Sequence, residues 1–454
     1  MGKKNAPVST SNSRSAAASP GRLALLLTSA VSIALGVVLA SVSTTYYTTH
    51  RSAAVTRVGR LPVMGYNTWN AYHVRTFFSF DSNLNEHQCG INETVILETA
   101  SLIKSLGLAD VGYNHVNIDD CYSEKQRNAN GDIVEDKERF PSGMRWLTDH
   151  IHSLGLDAGW FTCALYPGSF QNEERDVKLF REEWGFDLLK YDNCAVPFDE
   201  ITRENIIGRY TRMANAIAAQ AKASGKPPLL LSLCEWGNEQ PWLWARRLGQ
   251  SWRTTGDIAP KWASVASIIN QNSFISWASD FYGHGDMDMV CVARTSVFHL
   301  KLTLADASPE TLEILKNTEI IAINQDPVVG TALTPFRWGL NPNWTPDARF
   351  PAQYWSGESE NGTVIMMLNT RDEPAHMFFS LTESPWLRAG RQYFVRDLWS
   401  HTDNGTAVRN ISVRNVPPHG VVALLLRDAG DEPAGLEPRC AVHEWCMDKN
   451  GTMV

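Results

Sequence analysis

Residues 186–194 read FDLLKYDNC, and the residues before them complete a unit that decides the fold. The stretch from Asp176 to Trp184 has helical patterning and stops at Gly185, a residue suited to the left-handed turn that ends a helix. A short apolar strand then begins at Leu188. Lys190 and Asp192 stand two apart on it, so both side chains point the same way. The same helix, glycine, strand rhythm recurs. Ile96 to Leu106 places Ile96, Ala100 and Ile103 on one face and ends at Gly107, before YNHVNIDDC. Met144 to Leu154 ends at Gly155, before a short strand around Ala158 to Phe161. Ile206 to Ala223 ends near Gly225, and PLLLSLCEWG follows as a strand apolar enough to be buried on both faces. The tetrapeptide SLGL stands at this joint twice, at Ser105 and at Ser153.

Repeated strand–helix units predict a parallel sheet with helices outside it. Strands are expected near Met64, Val116, Gly159, Leu188, Leu231, Trp252 and Ile275, with an eighth near Phe298. That count over residues 61–330 predicts a TIM (β/α)8 barrel. An open, doubly wound sheet is the competitor, but it usually carries a glycine-rich phosphate turn after its first strand, and MGYNTWN (64–70) has none. Beyond Pro335 the texture changes to β-rich runs separated by Gly, Asn and Pro. This predicts an antiparallel β-sandwich over 335–428 and a loose tail over 429–454.

At 454 residues the chain is too long for one ordinary domain, which agrees with this division. A formal charge of −8 offers no basic field for nucleic acid. The 16 tryptophans suit a site that stacks flat apolar faces, as sugars present. Residues 1–22 form a polar arm with Lys3, Lys4, Arg14 and Arg22, and 23–42 form an uncharged run just long enough to span a bilayer. The positive-inside rule puts the arm in the cytoplasm and the rest in the lumen or outside. A signal-anchor is favoured over a cleaved signal peptide, although Val38 and Ala40 offer a cleavage pattern. Frequent sequons, including Asn92, Asn361, Asn404 and Asn410, and eight cysteines agree with export. Cys440, His443 and Cys446 are read as a local disulfide rather than a zinc site, so no metal is expected.

In a parallel barrel, chemistry sits at the C-terminal ends of the strands. The polar residues there are Trp69, Asp119 with Asp120, Lys190 with Asp192, Glu235 with Trp236, Arg253 with Asp257, and Asp286 with Asp288. Acids repeated along one edge of a buried sheet are costly unless they have partners or work to do. Lys190 favours an ionised Asp192, suited to a nucleophile, while Asp257 would need to carry a proton. Two carboxylates divided in this way perform glycoside hydrolysis with retention. Structural ion pairs of Lys190 or Arg253 with an acid are the plain alternative.

The segments MGYNTWN, NIDDC, RFPSGM, TCALYPGS, WGFDLLKYDNC, LSLCEWG, SWRTTGDI and IAINQDPVVG resemble the α-galactosidases of glycoside hydrolase family twenty-seven, from about Leu61 to Arg427. The resemblance implies a retaining enzyme that releases terminal α-linked galactose from oligosaccharides or polymers without a cofactor. It implies Asp192 as nucleophile and Asp257 as general acid/base. Asp119, Asp120, Lys190 and Arg253 would bind sugar hydroxyls, Trp69 would stack under the ring, and Trp236 and Asp288 would complete the pocket. Glu235 would favour galactose over N-acetylgalactosamine. Cys89–Cys121 and Cys163–Cys194 would be disulfides, with Cys234 and Cys291 unpaired.

The chain also departs from the family. Between Gly159 and Cys163 only Trp-Phe-Thr stands, where relatives have a longer strand end with a substrate-facing Tyr, and no residue takes that role. Tyr66 and His284 replace tryptophans usual in the family. CVARTSVFHLKLTLADASP is too short for both a helix and an eighth strand, so either FHLKLTL closes the barrel or the barrel stays open. The alternatives are a galactoside-binding pseudoenzyme and an α-N-acetylgalactosaminidase or β-L-arabinopyranosidase.

Overall fold

In the computed structural model, residues 58–72, 90–163, 167–194, 202–288 and 303–436 are described. The first domain is a seven-stranded parallel sheet in sequential order. Its strands are β1 (Gly65–Asn67), β2 (His115–Ile118), β3 (Asp157–Thr162), β4 (Leu188–Asp192), β5 (Leu230–Cys234), β6 (Ser251–Arg253) and β7 (His284–Asp286). The expected strand near Ile275 is not one. Ser276–Ala278 form a 3-10 turn, and the seventh strand is the short, polar HGD that follows. Ile275 is buried but has no place in the ladder.

Four of the connecting helices fall where the sequence pattern put them, and two more, Trp69–Tyr72 and Trp262–Ser273, join them. They are α1 (Trp69–Tyr72), α2 (Glu93–Ser105), α3 (Met144–Ser153), α4 (Glu173–Lys178), α5 (Arg203–Ser224) and α6 (Trp262–Ser273). The Asn92 side chain caps α2 by accepting from the Val95 amide at 2.9 Å. Gly225, with φ of 70°, ends α5 in the left-handed conformation that glycine adopts without penalty. Helix α4 continues as a wider turn over Leu179–Glu183, which carries the chain to Trp184 as the sequence pattern required.

The sheet curls, and on its outer face Val116, Ile118, Trp160, Leu189, Leu231, Leu233 and Trp252, all almost fully buried, share one core with helix residues such as Ile96, Ile103, Leu147 and Ile151. No eighth strand lies among the described residues, and the expected site near Phe298 falls outside them. A cavity of about 600 Å³ lies between the two edge strands, with β1 residues Gly65–Asn67 and β7 residues His284–Asp286 both on its wall.

Helices α7 (Pro309–Leu315) and α8 (Thr318–Asn324) lead into the second domain. Its strands are β8 (Thr334–Arg337), β9 (Tyr354–Ser359), β10 (Gly362–Leu368), β11 (Ala375–Ser380), β12 (Arg391–Asp397), β13 (Thr402–Val408), β14 (Asn410–Val416) and β15 (Val421–Asp431). They form a six-stranded antiparallel-paired sheet in the order β13-β12-β15-β10-β9-β8 and a two-stranded sheet β11-β14. Ile365, Met367, Phe379, Leu424 and Leu426 form the core of this domain. A second apolar cluster, Val364, Leu398, Ala423 and Leu425, packs against Ile320 and Ile323 of α8. Alternation along β10 and β15 therefore gives the six-stranded sheet two apolar faces, one for its own core and one for the barrel. Arg396 and Glu319 add a pair of 2.8 Å hydrogen bonds at that junction.

Residues 1–22, the apolar run 23–42 and Cys440, His443 and Cys446 lie outside the described residues, as do Cys89 and Cys291. Among the described residues no helix is long and apolar enough to cross a membrane.

Candidate active site

Strand register brings the strand-end residues together. Asn117 of β2 pairs with Gly159 of β3, Phe161 with Lys190, and Asp192 with Cys234, so these positions share the inner face of the sheet. The chain beyond each strand then supplies Trp69, Asp119, Asp120, Trp236 and Asp257. Trp69, Asp119, Asp120, Phe161, Lys190, Asp192, Cys194, Trp236 and Asp257 line one cavity of about 250 Å³, the size of a single sugar unit.

Asp119 is buried, and its Oδ2 accepts from Lys190 Nζ at 2.8 Å and from Asn67 Nδ2 at 2.9 Å. Its Oδ1 accepts the Asp120 amide at 2.9 Å, and its own amide donates to Thr68 Oγ1 at 2.9 Å. Asp119 is thus fixed, while half-buried Asp120 meets the cavity. Burial opposes the charge on Lys190, but Asp119, Cys234 and Asp192 outweigh it and hold the ammonium protonated. That ammonium lies 5.1 Å from the centre of the Phe161 ring and 6.0 Å from that of Trp69.

Asp192 is 7% exposed. Its Oδ1 accepts the Cys194 amide at 2.8 Å. Burial pushes its carboxyl up to about 6, against the pull of Lys190, the Cys234 thiol and the Cys194 amide. The Cys163–Cys194 disulfide is present and ties the end of β3 to the loop after β4. Cys121 is disulfide-bonded, and its expected partner Cys89 lies outside the described residues. Cys234 is a free, buried thiol, as expected.

Asp257 stands at the mouth with its side chain 44% exposed. Trp69 Nε1 donates to its Oδ2 at 3.0 Å, and Arg253 Nη2 donates to its Oδ1 at 3.0 Å. Burial works against this carboxylate, but Arg253, Lys190 and Trp69 together hold its pKa below the usual value. When the pair holds one proton, below about pH 6, that proton therefore rests on Asp192 and not on Asp257 as expected, and at neutral pH both are ionised. The reason is physical: Asp192 is buried, and Asp257 has the arginine.

Arg253 and Asp288 stand behind this wall. Both are buried and pair at 3.1 Å, and Asp288 Oδ2 also accepts the Ile258 amide at 2.6 Å. They line the large interior cavity instead, and so act on the site through Asp257 and its loop. Glu235 also differs from expectation. It is fully buried, lines neither cavity, and sits near Arg253 and Asp192, where burial pushes its carboxyl well above the usual range. Cys234 faces inward opposite Asp192, so the next residue on the chain must point elsewhere. Trp236 returns to the cavity through a left-handed backbone, with φ of 59°. Gly237 follows at φ of 83°, where a Cβ would lie 2.2 Å from the Thr254 carbonyl oxygen. Trp236 and Asp288 are both non-glycine residues at positive φ beside the site, a strain typical of functional strand ends.

Phe161 is the residue that sequence reasoning missed. The signal was its parity: two positions after Gly159 it returns to the inner face, level with Lys190.

A curled parallel sheet with paired carboxylates over an indole at its C-terminal edge defines a glycoside hydrolase. Comparison with known proteins narrows that class. The family described as alpha galactosidase A matches residues 61–295, and the alpha galactosidase C-terminal beta sandwich domain matches residues 350–426. A probable alpha-galactosidase B of Penicillium simplicissimum is 34% identical over 432 residues, covering 82% of this chain and 94% of its own. Another, from Aspergillus fumigatus, is 35% identical over 447 residues, covering 83% of this chain and 99% of its own. The crystal structure of alpha-galactosidase I from Mortierella vinacea superposes with a TM-score of 0.70 at 30% identity, over 83% of this chain and 99% of that one. The chain belongs to the α-galactosidase family, glycoside hydrolase family twenty-seven.

Proposed function

We propose that this protein is a retaining α-galactosidase that removes a terminal α-linked galactose from an oligosaccharide or polymer. The observation that carries the reading is that Asp192 and Asp257 line one cavity the size of a single sugar, with Trp69 beside them. Asp119, Asp120 and Lys190 hold the sugar hydroxyls by charge-assisted hydrogen bonds. Asp192 attacks the anomeric carbon, forming a glycosyl–carboxylate bond as the glycosidic C–O bond breaks. Asp257 gives its proton to the leaving oxygen. It then takes a proton from water, which attacks the same carbon and releases Asp192.

Productive binding requires one proton shared by the pair to reside on Asp257. A galactoside-binding protein without turnover is the second reading, favoured by the hold of Arg253 and Trp69 on Asp257.

The export reading stays with this proposal. The Cys163–Cys194 disulfide supports an oxidising compartment, and exposed Asn92, Asn361, Asn404 and Asn410 can accept glycans. Residues 23–42 would serve as a signal-anchor or signal peptide.

The test is expression of residues from about 52 onward and assay with a chromogenic α-galactoside. Asp192→Asn is expected to lose at least about a thousandfold in kcat/KM while folding normally. Retention of a few per cent of activity would remove Asp192 from its role, and binding without hydrolysis in the unsubstituted protein would favour the second reading.

A further inference from the structure

The sugar cavity is lined by both polar and apolar side chains, and Phe161 is the apolar one set among its acids and lysine. Asp119 and Asp120 come from the end of β2, and Lys190 and Asp192 from β4. Between them β3 offers Phe161, 5% exposed, with its ring under the Lys190 ammonium at 5.1 Å. Phe161 is held on both sides: its register partner is Lys190, and two residues on, Cys163 is bonded to Cys194.

A phenyl ring neither donates nor accepts a hydrogen bond in the way a ring hydroxyl needs. A sugar hydroxyl turned toward it loses water and finds no partner there. A CH or CH2 in the same place fills apolar space instead. We propose that Phe161 is a specificity-determining residue of this cavity, and that the site accepts deoxy forms of the galacto-configured sugar that lack the hydroxyl on the rim facing Phe161 at least as well as the parent sugar. This inference rests on the galactoside reading above. It concerns one wall of the site and not the two carboxylates.

The asymmetry of polar recognition makes the idea measurable. Where Asp119, Asp120 and Lys190 meet the sugar, removing a hydroxyl leaves a buried charged group unpaired and costs affinity steeply. Where Phe161 meets it, removing a hydroxyl leaves nothing unpaired.

The experiment measures binding of D-galactose and its 2-, 3-, 4- and 6-deoxy forms to the protein from about residue 52 onward, by quenching of tryptophan fluorescence. Trp69 and Trp236 line the cavity and report occupancy without turnover. One deoxy sugar is expected to bind within about threefold of galactose or tighter, and the others to lose about tenfold or more. Phe161→Tyr supplies a hydroxyl at the wall and should weaken that one deoxy sugar relative to galactose by about tenfold. Phe161→Leu stays apolar and should keep the original order. Losses of tenfold or more for all four deoxy sugars, or an unchanged order in Phe161→Tyr, would overturn the proposal. Failure to bind galactose at all would end the galactoside reading and this inference with it, whereas galactose binding with four equal losses ends this inference alone.

Discussion

Trp69 Nε1 donates to Asp257 Oδ2 at 3.0 Å, so the ring expected to be only a platform for the sugar also holds the carboxylate that must release a proton. With Arg253 on the other oxygen, both lone-pair sets facing the protein favour the ionised form. Asp192, by contrast, is raised to about 6 by burial. Such a pair binds two protons in strong acid, one at intermediate pH and none above the upper titration. Only the singly protonated pair can catalyse. Activity should therefore peak in mild acid, between a lower limb set by the lowered Asp257 and an upper limb near the raised Asp192, and fall above pH about 6. A profile of kcat/KM against pH that is still rising at pH 7 would contradict this assignment.

Trp69→Phe keeps an apolar ring and removes the indole donor. The carboxylate of Asp257 loses a hydrogen bond to its charged form, so its pKa moves up toward the ordinary value. The acid limb of the kcat/KM profile should shift upward and the bell narrow, while the upper limb, which belongs to Asp192, stays in place. An acid limb that does not move would show that the indole contact has no hold on Asp257 in solution.

Asp192→Asn should make the folded protein more stable at neutral pH. The folded pKa of Asp192 is raised to about 6 from an ordinary 3.8, so between those values the folded state binds more protons than the unfolded one. Stability contributed by this group is present in acid and is lost as pH rises through that window. The shift corresponds to a cost on the order of 3 kcal/mol at pH 7. Asparagine stays neutral and keeps an oxygen for the Cys194 amide. Thermal melts should place the variant above the unsubstituted protein at pH 7 and level with it below pH 4. Equal melting temperatures at pH 7 would mean that Asp192 is better solvated than its burial implies.

Much of this site could be read from residue order, because parity along a strand is a hard constraint. Lys190 and Asp192 had to face one way, and register then placed them in one cavity with Asp119 and Trp69. The same rule reached Phe161, but a plain phenylalanine carries no chemical signal that draws attention. It also turned Glu235 away, since Cys234 faces inward. The seventh strand was misplaced because its three residues, HGD, carry little apolar content, while Ile275 is buried without a place in the ladder. Charge states were not legible at all. They depend on how deeply Asp192 is buried and on which oxygen Arg253 reaches, and neither is a property of spacing.

Cys163→Ser with Cys194→Ser separates two effects that the disulfide combines. The bond spans 31 residues of sequence, and loop-closure entropy for that length amounts to about 3–4 kcal/mol, so a clear drop in melting temperature is expected. Stability alone, however, would leave the kinetics unchanged well below the melting temperature. The geometry demands more than that. Cys194 lines the cavity, its amide donates to Asp192 at 2.8 Å, and Cys163 lies two residues from Phe161. Without the bond the loop after β4 is free to carry that amide away, and the nucleophile loses a hydrogen bond to its ionised form. Its pKa should then rise above about 6, moving the upper limb of the kcat/KM profile to higher pH and lowering kcat by about tenfold at 25 °C. Assay of the double variant, and of the unsubstituted protein before and after reduction, decides between the two effects. A lower melting temperature with an unchanged profile would reduce the disulfide to a staple, whereas a moved upper limb makes it part of how Asp192 is held.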